Sequence, residues 1–174
     1  MRLVFFLYIL SLSAQAQRFS RTDLNFGGAN RPALLFVDND IVIADEDQDS
    51  LGLLQVGLFD STGVKTFYKF YNYYDSPDSV RRVSPCFKCL KAHRGSYYLA
   101  QTDFIRNDSA FVRFTKFNHN LDTLVTAKHL DYQGGTPEVH DFVFDTDTTF
   151  IVTGFLFRLT NYNKYDLWVA KFDT

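Results

Sequence analysis

Three features of the sequence predict an all-β fold built from repeated antiparallel meanders: its aromatic residues, its imbalance of Asp over Glu, and a motif that recurs three times. Of 174 residues, 19 are Phe, 10 Tyr and 1 Trp. There are 18 Asp against two Glu, Glu46 and Glu138. Helices favour Ala, Leu, Glu, Lys, Gln and Met. Aromatic side chains favour strands, and Asp favours turns because its short carboxylate accepts bonds from nearby backbone amides. The net charge is −2, with 18 basic and 20 acidic residues. That balance supplies no basic field for nucleic acid or an anionic membrane.

Residues 1–16, MRLVFFLYILSLSAQA, read as a secretory signal peptide. Arg2 supplies the basic start, Leu3 to Leu12 the apolar run, and Ala14-Gln15-Ala16 the small-x-small cleavage site. No later window reaches about 18 apolar residues, so no transmembrane segment is expected. The expected location is secreted: extracellular, cell-surface or periplasmic. Residues 17–30 form an N-terminal lead segment.

The recurring motif appears as Leu54-Gln55-Val56-Gly57-Leu58-Phe59-Asp60, as Val112-Arg113-Phe114-Thr115-Lys116-Phe117-Asn118 and as Leu167-Trp168-Val169-Ala170-Lys171-Phe172-Asp173. Its Phe anchors lie 58 and 55 residues apart. Upstream of each copy stands a polar loop (Asp45–Ser50, Asn107–Ser109, Thr160–Lys164). An apolar strand precedes each loop: Ile41–Ala44, Tyr97–Ala100 and Phe150–Thr153. A tight turn and a further apolar segment precede each strand: Ala33–Val37 before Asp38-Asn39-Asp40, Cys86–Ala92 before Arg94-Gly95-Ser96, and Val139–Phe144 before Asp147-Thr148-Thr149. A fourth strand follows in the first two copies, at Val64–Tyr71 and Leu121–Leu130.

Short strands punctuated by turns predict a meander, and its repetition at a fixed period predicts a propeller or solenoid. Four strands per repeat select the propeller. Successive apolar residues, as in Ile41-Val42-Ile43, fit sheets buried on both faces. The predicted fold is therefore a partial β-propeller of about three blades, with blade 1 at 31–74, blade 2 at 75–132 and an incomplete blade 3 at 133–174. The third copy reaches Thr174 before a fourth strand. The expectation is a fragment of a longer secreted protein, with missing blades or an oligomer needed to close a ring.

The signature Asp166-Leu167-Trp168-Val169-Ala170-Lys171-Phe172-Asp173, following Phe150-Ile151-Val152-Thr153-Gly154, resembles the blade repeat of secreted β-propellers of the Bacteroidota. That resemblance covers roughly residues 31–174. It implies export by a pathway in which such proteins often end in a type IX secretion sorting domain.

Asp45, Asp47 and Asp49 alternate in a polar run and make a candidate calcium site, the one cofactor considered. Ser50 stands where a calcium loop needs Gly, and Val56 where it needs Glu, so a solvated loop is the preferred reading. Cys86-Phe87-Lys88-Cys89 is a lone C-x-x-C, with only His93 nearby as a further zinc ligand. Buried free thiols and a local disulfide both stay open; a disulfide requires a bend, because side chains three apart on a regular strand face opposite ways. The run from Phe67 to Tyr74 is the densest in aromatics. Tyr71, Tyr73 and Tyr74 are a candidate glycan platform, and strand packing is the preferred alternative. His93, His119, His129 and His140 show no metal-like spacing. No G-x-S-x-G, H-E-x-x-H or phosphate-binding Gly loop is present.

The expected function is a non-enzymatic binding or surface-interaction module with a protein or glycan ligand. The alternative is a carbohydrate-active enzyme, or a fragment of one, with acidic residues near a propeller axis, where carboxylates from different blades can converge.

Overall fold

A computed structural model describes residues 32–46, 53–73, 80, 82–105, 110–129, 135–158 and 164–173. They form eleven strands joined by turns: β1 (Ala33–Val37), β2 (Asp40–Glu46), β3 (Leu53–Asp60), β4 (Lys65–Asn72), β5 (Arg82–His93), β6 (Ser96–Phe104), β7 (Ala110–Phe117), β8 (Thr123–His129), β9 (Gly135–Phe144), β10 (Thr149–Arg158) and β11 (Lys164–Asp173). Consecutive strands pair antiparallel as three meanders, β1-β2-β3-β4, β5-β6-β7-β8 and β9-β10-β11. The second and third meanders join into a curled seven-stranded sheet through one parallel bridge, Lys88 to Asp141. The all-β expectation holds, and each expected strand has a counterpart, with β2 running on into Asp45 and Glu46.

The turns after the motif show how far the copies match in physical detail. Asp60 Oδ1 accepts the amides of Thr62 (2.9 Å) and Val64 (3.0 Å). At the matching position, Asn118 Oδ1 accepts the amides of Asn120 (2.9 Å) and Asp122 (2.8 Å). Each turn then needs a residue with positive φ, Gly63 in the first (80°) and Leu121 in the second (56°). The left-handed conformation costs a non-glycine residue roughly 1–2 kcal/mol. Leu121 is fully buried, and burial of a Leu side chain returns about 1.5–3 kcal/mol, which offsets the strain. Between β5 and β6, Arg94 and Gly95 both take positive φ, the twist that a two-residue hairpin needs.

β5 carries the bend that the C-x-x-C spacing requires. Its pairing with β6 breaks between Pro85 and Leu90, and a Cys86–Cys89 disulfide closes the interruption. Of the two readings left open by the sequence, the structure takes the disulfide. The bulge carries Lys88 to its bridge with β9, and Cys86 Sγ lies 3.0 Å from the carbonyl oxygen of His140 on that strand.

The meanders stack face on face. Val42, Ala44, Leu54 and Val56 of the first pack on Val83, Leu90, Leu99, Phe111 and Phe117 of the second. The opposite face of the second, with Tyr98, Ala100, Val112 and Phe114, packs on Val139, Phe142, Phe150 and Val152 of the third. Adjacent β6 residues thus serve different interfaces, which explains why Ser96 to Asp103 is buried without alternation. Gly154 is dictated by this packing. A Cβ there would stand 2.0 Å from the Glu138 carbonyl oxygen and 2.6 Å from the Trp168 ring, at the register shift between β9 and β10.

Candidate functional site

Polar side chains gather between the first two meanders at the end of the stack reached by the C-termini of β2, β4 and β6. On β6, Gln101 and Asp103 share the face of Leu99, and Arg113 on β7 lies directly across from Gln101. All three are buried. Arg113 Nε donates to Asp103 Oδ2, and Gln101 Nε2 donates to Asp103 Oδ1 at 2.6 Å. The guanidinium lies 4.3 Å from the centroid of the Tyr73 ring. Tyr73 bonds Thr115, and burial pushes its phenol up to about 12. A buried carboxylate held by a guanidinium and an amide is a clamp; removing one partner would leave the other charge stranded in low dielectric.

A second group ties each meander to the next. Glu46, at the end of β2, accepts the amide of Val83 on β5 (3.2 Å) and pairs with Arg82 Nε (3.3 Å). Thr102 occupies the matching position on β6. Its hydroxyl donates to the Pro137 carbonyl (2.9 Å) and accepts the Val139 amide (3.2 Å) on β9. The same repeat position thus reaches the first strand of the following meander twice, once with a carboxylate and once with a hydroxyl. In the third meander that position is Phe155, which is exposed.

Of the sequence-derived candidates, Asp45, Tyr71 and Tyr73 fall among the described residues. Asp45 and Glu46 belong to strand β2 and not to the polar loop that follows it, with Asp45 opposite Gln55. The Asp45 carboxylate is buried and accepts the Glu46 amide at 2.8 Å. Burial raises its pKa to about 6, and the neighbouring Glu46 charge adds to the rise. Asp47, Asp49 and Tyr74 lie outside the described residues, so Asp45 is the one member of the calcium candidate with a described place. Tyr71 is half-buried at the sheet interface. Its ring lies 5.1 Å from that of Phe117, its hydroxyl donates to the Leu121 carbonyl, and burial raises its pKa. Tyr71 and Tyr73 therefore turn inward, while Phe67, Tyr68 and Phe70 of the same run are exposed.

Gln101, Asp103 and Arg113 did not emerge as candidates from the sequence. The signal was there: polar residues spaced by two in one apolar strand, and a cation in the middle of the next. The pattern names no partner until the hairpin register places Arg113 beside Gln101 and two residue pairs from Asp103.

A groove of 140 Å³ opens on the other side of the second meander, between β7, β8 and the end of β11. Phe114, Val125, Ala127 and Phe150 form its apolar wall, with Lys116 and Asp173 among its polar residues. Among the described residues, no group of three or more His, Cys, Asp or Glu could hold a metal ion, and no helix is long and apolar enough to cross a membrane. No protein-family model matches the chain, and no curated protein matches it.

Proposed function

We propose that the chain is an exported interaction module of the β-propeller type, non-enzymatic, with its three meanders as blades at 31–74, 75–132 and 133–174. The observation that carries this reading is the arrangement of first strands. β1 packs on β5, and β5 meets β9 in the parallel bridge of Lys88 with Asp141. Innermost strands that follow one another side by side about an axis are what a propeller requires, with the remaining strands of each blade directed outward. The carboxylates of Glu46 and Asp103 support the non-enzymatic reading, since arginines and backbone amides already engage them between sheets. Export rests on the signal sequence at 1–16, and the Bacteroidota-type assignment rests on the blade signature ending at Asp173. The ligand is a protein or a glycan, and further blades or a second copy would complete a ring.

A second reading, a carbohydrate-active enzyme, is favoured by Asp45 alone. A buried carboxyl with a pKa near 6 beside a second carboxylate has the character of a general acid. One experiment separates the two. The purified chain is applied to a glycan array and, in parallel, assayed for hydrolysis of the glycans it retains. Retention without cleavage supports the module. Cleavage that Asp45→Asn abolishes overturns it in favour of the enzyme.

A further inference from the structure

The stack of meanders has two outer faces, and they differ. Each meander turns the same repeat positions back toward the one before it. In the second these are Tyr97, Leu99 and Phe117, buried against the first. In the third, Phe150 and Val152 are buried in the same way against the second. Their counterparts in the first meander are Ile41, Ile43 and Phe59. Among the described residues, the cluster these three form takes in only Leu34 besides, from the same meander. They are nevertheless 6%, 3% and 1% exposed. The opposite outer face, with Leu167 and Val169, is exposed.

The cover on the first face is narrow. Phe36 pairs with Ile41, and Tyr68 pairs with Gly57 beside Ile43, so both flank the same face. They are 69% and 45% exposed. A neighbouring sheet would shield the flanks together with the middle. A single segment of chain shields the two middle strands and leaves the flanks in water. The Phe59 ring is folded back over Gly57, where an added Cβ would stand 2.9 Å from it. Its outer side is therefore shielded by something laid on top of the sheet.

The register shows which segment that is. Ile41 and Phe59 pair at one end of β2 and β3, five residue pairs, or roughly 17 Å, from Glu46 and Leu54 at the other. Residues 47–52 connect the strands at that far end, and a six-residue loop folded back from its anchors reaches roughly 12 Å. Residues 74–79 follow β4 at the same far end, where the Val80 amide donates to the Tyr73 carbonyl (3.3 Å) and holds the two ends of that stretch together. The remaining undescribed loops belong to the second and third meanders, which stand on the opposite face. Only the chain before β1 is long enough and on the correct side.

We propose that residues 17–31 of this chain lie across the outer face of the first meander as an extended segment and cap the stack there. Their sequence suits the place. Leu24 and Phe26 alternate with Asp23 and Asn25, the pattern of a strand with one apolar side. Gly27-Gly28, shortly before β1, supply the backbone freedom to turn the chain back onto the sheet. Residues 20–26, fully extended, span roughly 23 Å, enough to run from the start of β1 past Ile43 to Phe59. Stacks of repeats need a cap of this kind where the first unit has no predecessor. The proposal rests on the exported-module reading in one point, the removal of residues 1–16, and otherwise goes beyond it. A further blade or a second copy that closes a ring on this face has to displace the segment first.

The test starts from the full chain expressed with residues 1–16 in place, and mass spectrometry reads the N-terminus of the isolated product. Hydroxyl-radical footprinting then reports how fast single side chains react with radicals in the solvent. Phe59 should react as slowly as Phe117, which the first meander covers, and far more slowly than Phe36 on its own face. Leu24→Asp combined with Phe26→Asp should raise the Phe59 rate to that of Phe36 and leave Phe117 unchanged. Where that variant fails to fold, a photocrosslink decides. Tyr68→p-benzoylphenylalanine, at an exposed position beside the Phe59 ring, should join residues 17–31 of the same chain. Three results overturn the proposal: a Phe59 that reacts as fast as Phe36 in the unchanged chain, no acceleration of Phe59 in the folded double variant, and crosslinks to residues 1–16 or between two copies. A chain that retains residues 1–16 yet crosslinks to 17–31 overturns export and upholds the cap. A processed chain whose Phe59 is fully reactive overturns the cap and leaves export standing.

Discussion

Two positions of the repeat meet opposite fates in the inner and the last meander. Leu54 and Val112 are both 0% exposed, while their counterpart Leu167 is 71% exposed. Val56 and Phe114 are 0% and 6% exposed, and their counterpart Val169 is 62% exposed. All six are apolar, all lie on third strands, and all point toward where a following sheet would stand. Burial is therefore a property of what lies opposite a side chain and not of the side chain. The repeat specifies a face ready for a neighbour, and only the first two meanders have one among the described residues.

The contrast predicts unequal costs for equivalent truncations. Phe114→Ala should lose about 3–5 kcal/mol of stability in urea or thermal unfolding, because it removes a ring packed 3.9 Å from that of Phe150. Val169→Ala should change stability by no more than about 0.5 kcal/mol. Similar losses at the two positions would mean that the third face is covered in solution.

The clamp between the first two meanders should be nearly as costly to break. Arg113→Met strands the Asp103 carboxylate and is expected to cost about 3–5 kcal/mol. The double substitution Arg113→Met with Asp103→Leu should recover most of that loss, since it removes both buried charges together. A double variant as unstable as the single one would show that packing around Tyr73 matters more than the stranded charge.

Between the second and third meanders the disulfide is the next test. Replacing both Cys86 and Cys89 by Ser should lower stability by about 2 kcal/mol, the entropy of closing so short a loop. Reductant should produce the same shift in the unchanged protein and none in the variant. Thr102→Val should cost about 1–2 kcal/mol, because it withdraws a hydroxyl from the Pro137 carbonyl and the Val139 amide. The effect should appear as faster hydrogen exchange in β9, with β5 unchanged.

A further effect depends on pH. Asp45 has a folded pKa of about 6 against an ordinary 3.8, so burial penalises its charged form. The penalty is absent below the ordinary value, grows as the pH rises, and is complete above the folded value. Asp45→Asn should therefore raise the melting temperature above pH 6 and not below pH 3.8. A gain at low pH alone would reverse this account of Asp45.

Much of the strand map was legible because strand, turn and period are local properties. β1 spans Ala33–Val37, as the apolar run before Asp38-Asn39 predicts. The turn residues Asp60 and Asn118 carry out the bonding that favours Asp and Asn in turns. Legibility failed where a polar residue continued a strand. Asp45 and Glu46 read as loop because carboxylates are rarely buried. In the structure a buried Asp45 and an inter-sheet Glu46 belong to β2, the latter compensated by Arg82 and Val83 from 36 and 37 residues away. Gln101, Asp103 and Arg113 were hidden for the same reason. Their compatibility with the interior depends on one another and on Tyr73, and no single segment contains all four.

By itself the sequence determined the class of fold, the period of its repeat and which side chains share a face. Each of these follows from backbone propensity and from the two-residue alternation of a strand. The tertiary structure decided which faces are interior and which polar groups are compensated. It also decided that the C-x-x-C closes a bulge toward β9 and that a groove opens between β7, β8 and the end of β11. These outcomes depend on what lies across a gap of several ångströms from a residue distant in the chain, and a local pattern does not encode that.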